Sequence, residues 1–456
     1  MKIRPYLFLA ATCAAAVFAS AAQAQIGKRF PSERKVVKDP VTGVMLTFLT
    51  STPAGDTKIY QTHPQWTADG QWLVFRSNRA KGEAMAVNEK YGDIVQITEG
   101  GYTGMLNLAR KSMKLYHMRN VGPATQGPGR GGPLEVVEVD LTKVLTDSKA
   151  GKMQPASTYQ RVCGTIPAEM GAGGDMALDA DEDKVYFHVG RTEAAKHLAA
   201  DAKVEGTFGP RNMGAGPNGL ASMNVKTGEI KYIVSVPFQI GHIQVNPWVP
   251  GEIVFCWETG GKSPQRTWTV KADGSGLRPL YPESQYEWVT HEAVITPDEV
   301  AIAIMGHRKV PGTGDAAAGT PVGGANPGQE AAWGPSGTRE KPTGLGIVNL
   351  RTREMTIAGQ TPSGSGLWHV GGSKDGRWAV GDDFSRSIYL IDRHTSEMMM
   401  LSTGHKTTAA DHPHPTFSPD GTRIEIQSAM LSADGRAMNI CIIPVPDAWL
   451  KRTYKQ

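Results

Sequence analysis

His412-Pro413-His414-Pro415-Thr416-Phe417-Ser418-Pro419-Asp420-Gly421 joins a structural repeat unit to the densest group of candidate metal ligands in the chain. Pro413 keeps its neighbours extended, and residues two apart on an extended chain share a face, so the two imidazoles are expected to point together. Ser-Pro-Asp-Gly is hairpin-turn chemistry. It leads into Thr422-Arg-Ile-Glu-Ile-Gln427, whose branched residues alternate as in a half-buried strand. The histidines therefore stand at the far end of a strand from its turn.

The unit of strand, turn and strand recurs along the chain. His63-Pro-Gln-Trp-Thr-Ala-Asp69-Gly70 leads into Gln71–Arg76, and Leu106–Ser112 leads into Met113–Met118. Asp175–Asp181 leads into Lys184–His188, His242–Pro247 into Glu252–Phe255, Thr290–Asp298 into Val300–Met305, and His369–Gly376 into Trp378–Val380. Counting the opening stretch there are seven units, and a period of about 40 to 45 residues marks propeller blades. The last unit lacks a fourth strand, while Val44-Met-Leu-Thr-Phe-Leu-Thr50 is a lone strand before the first. The expected fold is all-β: a seven-bladed β-propeller over residues 25–456, closed by the N-terminal strand. Gly/Pro-rich insertions near 119–133, 191–218 and 311–342 fall between second and third strands, on the face where each innermost strand begins.

Residues 1–24 read as a secretory signal: Lys2 and Arg4, an apolar run from Tyr6 to Ala22, then Ala22-Gln23-Ala24. Cleavage after Ala24 would deliver the chain to the periplasm or the exterior. It would also take the formal charge from +4 to about +2 by removing those two cations, which offers no case for nucleic acid or an anionic membrane as partner. The cysteines that remain, Cys163, Cys256 and Cys441, are odd in number and form no Cys-x-x-Cys pair.

Phase carries the functional signal. His63, His291, His369 and His414 precede the turn aspartates Asp69, Asp298, Asp375 and Asp420 by six, seven, six and six residues, His412 lies eight before Asp420, and His242 begins the fourth unit. Six of the 12 histidines would thus ring one mouth of the propeller. Imidazoles with water or carboxylate oxygens suit manganese, zinc, iron or nickel. The other six, among them His117, His188 and His405, read as structural.

Together with Asp39-Pro-Val-Thr-Gly-Val44, Val225-Lys-Thr-Gly-Glu229, Gly241-His242, Thr290-His291-Glu292 and His412-Pro-His-Pro415, the pattern resembles the oligogalacturonate lyase family, with echoes from about 39 to 445. The resemblance implies a divalent metal, usually manganese, held by His291, His412 and His414. It also implies His242 as catalytic base and a uronate-containing oligosaccharide as substrate, cleaved by β-elimination. His63 and His369 would be further funnel residues. Two departures stand out. Ala409 occupies the position of the family's glutamine ligand, and Gly216-Pro-Asn-Gly-Leu-Ala-Ser222 holds no counterpart of its arginine, for which Arg211 or Arg191 is a substitute. A non-catalytic TolB-like or WD-repeat propeller that serves as a binding platform has the same turns but no need of histidines in phase. A propeller joined to a serine peptidase is disfavoured by the lack of a Gly-x-Ser-x-Gly elbow. A hydrolase would have to use Glu292 and Asp411 as its carboxylate pair.

Overall fold

In the computed structural model, the described residues are 25–121, 132–207, 211–260, 263–283, 288–304, 344–360 and 366–454. The signal at 1–24 and the insertion at 311–342 lie outside them, as does most of 119–133. The strands form seven antiparallel sheets arranged as the blades of a propeller. Blade one is Thr57–Lys58, Trp72–Arg76, Ala84–Asn88 and Ile94–Gln96; blade two is Thr103–Leu108, Lys114–Asn120, Leu134–Asp140 and Gln160–Ile166. Blade three comprises Met176–Leu178, Lys184–Val189, Ala215–Asn224 and Ile230–Phe238, and blade four Ile240–Val245, Glu252–Trp257, Thr267–Lys271 and Arg278–Pro279. Blade five runs Val289–Thr296, Glu299–Ile304, Gly344–Asn349 and Met355–Gln360; blade six runs Leu367–Gly372, Trp378–Asp383, Ile388–Asp392 and Met398–Ser402.

Blade seven takes Thr416–Phe417, Arg423–Ser428 and Asn439–Pro444 from the C-terminal end and Met45–Phe48 from the N-terminal end. Thr47 pairs with Ile442 and Phe48 with Cys441, so the lone N-terminal strand closes the ring as expected. Leu46 and Phe48 are fully buried against Trp378, Ile424, Ile426 and Ile443. This apolar cluster spans blades six and seven and covers the sheet edge that an open ring would expose. Two short strands extend the design beyond the expectation. Lys35–Lys38 pairs outside Met45–Phe48, and Arg29–Phe30 pairs outside Ile94–Gln96, so blades seven and one have five strands each.

The turn chemistry explains the repeat. Thr67, Ser373 and Ser418 donate their hydroxyls to Asp69, Asp375 and Asp420 at 2.6, 2.6 and 2.5 Å, and each carboxylate accepts the backbone N–H two residues on. The following Gly70, Gly376 and Gly421 sit at φ of +68°, +71° and +70°, a conformation that costs glycine nothing. Three α-helices among the described residues were not expected, and the longest is in blade two. Leu141–Ala150 joins the third and fourth strands of blade two, capped by Asp140 at its start and by left-handed Gly151 at its end, and it buries Leu141 and Val144.

At the mouth, the innermost strands are irregular. Register shifts interrupt the pairing between Thr103 and Asn107, Gly241 and Gln244, Val289 and Glu292, and Leu367 and His369. Bulges of this kind re-aim side chains that would otherwise alternate. His242, His291 and His369 lie within or beside three of them.

Candidate functional site

Two walls face each other across the mouth. On the wall made by blades four and five, His242 sits at φ +50°, a strained conformation for a residue with a Cβ. Its Nδ1 lies 2.9 Å from the fully buried Glu292, whose carboxylate as an acceptor assigns the imidazole proton to Nδ1. Arg266, also buried, donates from Nε to the other oxygen of Glu292 at 3.0 Å, and its Nη2 lies 3.6 Å from Glu258. Burial alone would depress His242, but the Glu292 carboxylate outweighs it and holds the imidazole above its usual value. The same Arg266 and His242 outweigh burial at Glu258 and hold that carboxyl below its usual range.

The wall made by blades six and seven centres on Asp382, which is fully buried at the end of its strand. It accepts from the backbone N–H of His369 at 2.7 Å, from His369 Nδ1 at 3.2 Å and from the backbone N–H of His414 at 3.2 Å, with His412 Nδ1 at 3.6 Å. Burial would raise this carboxyl, yet the surrounding imidazoles outweigh it and keep it ionised. His369 is pushed down to about 3 by burial and by the neighbouring His414, so it stands neutral, with its Nδ1–H donating to Asp382. His414 stacks on His369 at 3.8 Å and lies between the Gln61 amide (2.8 Å) and Asp411 (2.9 Å). His291 lies 4.3 Å from His369 ring to ring and 5.7 Å from His242, so it bridges the walls, and burial holds it far below its usual value.

These positions refine the expectations one by one. His242, His291, His369, His412 and His414 do gather at one mouth. The extended backbone expected through the His412/His414 pair is not found at His414, which sits at φ +54°; both rings pack against His369, His412 edge-on at 5.1 Å and His414 stacked at 3.8 Å. His412 faces Trp368 and Phe384 while His414 turns to Gln61. His63 is buried between Thr62 Oγ1 (2.8 Å) and the Met176 carbonyl (2.9 Å), and burial pushes it down to about 4, a structural placement. Ala409 packs on Ala429 and Met438. Arg211 is exposed beside Gly260, and Arg191 donates to the Ala215 carbonyl.

Among the described residues, two groups of side chains bring three donor atoms within 4.8 Å of one another: His369, Asp382 and His412, and His242, Cys256 and Glu258. The first fits a divalent cation. Among the described residues its carboxylate bonds to imidazole and backbone N–H groups, and His412 Nδ1 is buried without a hydrogen-bond partner. The second already holds a cation, because Arg266 Nη2 is 3.3 Å from His242 Nδ1 and 3.6 Å from Glu258. Arg266, Glu258 and Asp382 escaped the sequence reading because they lie on or beside second and third strands, outside the histidine phase. The Asp382-Asp383 pair that ends an otherwise apolar strand was the one local sign.

No family model matches the chain, and no curated protein matches it. Solved structures do. An oligogalacturonate lyase in complex with manganese superposes with a TM-score of 0.68 at 18% identity, over 93% of this chain and 100% of that one. An oligogalacturonate lyase from Vibrio parahaemolyticus gives 0.67 at 18% identity over the same shares. At this identity the likeness is one of fold, and the fold is the seven-bladed propeller of the oligogalacturonate lyases.

Proposed function

We propose that this protein is a metal-dependent lyase that cleaves uronate-containing, pectic oligosaccharides by β-elimination, acting in the periplasm or outside the cell. The observation that carries the reading is the separation of the two walls: a histidine–carboxylate–arginine group beside a second, metal-fitting group of imidazoles around Asp382. β-Elimination removes the proton from the carbon next to a carboxylate, so it needs a base and a way to offset the charge that builds on that carboxylate. His369, Asp382 and His412 would hold the divalent ion, with His291 the next imidazole in reach. Manganese is the natural candidate, since the similar lyase is described in complex with it. When bound, such an ion supplies positive charge to a substrate carboxylate.

The chain's own residues supply the rest. Glu292 fixes the His242 ring through Nδ1. That leaves Nε2 as the atom that takes the proton when the imidazole is neutral. Arg266 holds the other carboxylate oxygen of Glu292 from the far side. Tyr60, whose ring lies 5.1 Å from His242 and 5.0 Å from His414, fills the space between the walls and sets their spacing. The test is absorbance of the unsaturated uronate product when purified protein meets short pectic oligosaccharides with added manganese. New absorbance supports the lyase. A protein that binds the sugar but never generates the product would make the mouth a recognition site.

A further inference from the structure

A cleft of 590 Å³ opens beside His242, lined by Tyr60, Arg76, Tyr102, Asp175 and His242 among others. Its floor depends on two glycines. Gly104 and Gly174 bring blades two and three into backbone contact, where Met105 N–H donates to the Gly174 carbonyl at 2.8 Å. A Cβ on Gly104 would meet that carbonyl oxygen at 1.8 Å, and Gly104 sits at φ +71°, so no other residue allows this approach.

Arg76 ends the second strand of blade one. Its Nη2 donates to the Gly104 carbonyl at 2.9 Å, and its Nε is buried with no hydrogen-bond partner. No carboxylate pairs with it among the described residues, unlike Arg266, whose charge is spent on Glu292 and Glu258. A guanidinium held through Nη2, lining the cleft and bonded to no carboxylate among the described residues, is a ready receiver for a carboxylate from the cleft side. Tyr60 and Tyr102 add ring surface to the same cleft. Asp175, whose Oδ2 accepts from the Ile243 N–H at 3.1 Å, supplies an acceptor for sugar hydroxyls.

We propose that this cleft binds the uronate ring next to the one that reacts, with Arg76 as the anchor for its carboxylate. The inference rests on the lyase reading and assigns the substrate's second carboxylate to an arginine of blade one. Arg76, and not Arg211 or Arg191, would then set the preference for acidic over neutral sugars.

Calorimetric titration with trigalacturonate and with its carboxyl-reduced, neutral counterpart tests this on the full chain, in EDTA so that nothing turns over. Wild type should bind the acid about 10- to 100-fold more tightly, the range of a hydrogen bond to a charged group. Arg76→Gln should lose that preference and keep its affinity for the neutral sugar, and Arg76→Lys should keep part of it. An Arg76→Gln protein that retains the full preference overturns the proposal, even if both proteins still form unsaturated product with manganese. A wild type with no preference for the acid overturns the anchor as well. If wild type also forms no product, the lyase reading falls separately.

Discussion

The two walls of the mouth use the same residue types for opposite ends. On blades four and five a histidine, a thiol and a carboxylate converge, but Arg266 stands among them as a built-in cation. On blades six and seven the convergence of His369, Asp382 and His412 has no arginine or lysine bonded into it among the described residues. The lesson is that a cluster of ligand-type side chains is defined as much by its counter-charge as by its donors. On the first wall an arginine is bonded directly to the carboxylates; on the second the carboxylate meets imidazoles, and the cations Lys58 and Arg386 act on it only through space.

The largest effect that would break this contrast is the loss of metal. Asp382→Asn or His412→Ala should abolish stoichiometric manganese by elemental analysis, while Glu258→Gln should leave it in place. Next comes turnover. His242→Ala should keep the metal and lose activity by ~10²–10⁴, the contribution of a positioned acid/base; metal lost along with activity would make His242 a ligand.

A smaller effect sharpens the role of Glu292. As a base His242 works in its neutral form, so activity should rise as pH climbs through its pKa. Glu292 holds that pKa above the ordinary value of about 6.5. The rising limb of kcat/KM should therefore lie on the alkaline side of that value in wild type and move to lower pH in Glu292→Gln. A limb that stays put would detach Glu292 from the base. The smallest effect concerns Ala409. Because it packs on Ala429 and Met438, Ala409→Gln should cost about 1–3 kcal/mol through overpacking. It should bring no tighter metal binding, and a gain in manganese affinity would show that the glutamine reaches the ion.

Much of the ring could be read from the chain because its determinants are local. The Asp-Gly turns after Thr67, Ser373 and Ser418 carry their own hydrogen bonds, and strand alternation follows from them. The closing strand was legible as a missing partner at one end and a surplus strand at the other. The edge strands Lys35–Lys38 and Arg29–Phe30 were not, since short strands with little buried apolar surface leave no periodic trace. Within the site, repeat phase brought five of six histidines to the mouth, and His63 shows its limit: the same phase delivered a ring to a backbone carbonyl. Which imidazoles could share an ion depended on bulges and on left-handed backbone at His242 and His414, which arise from tertiary packing. Arg266 and Asp382 became visible only when strands distant in sequence lay side by side.

Anomalous diffraction from crystals grown with manganese locates the ion without reference to any activity. A peak within coordination distance of His369, Asp382 and His412 is expected, together with none at His242, Cys256 and Glu258. A peak on the Arg266 side, or manganese on neither wall, would contradict the division of labour between them.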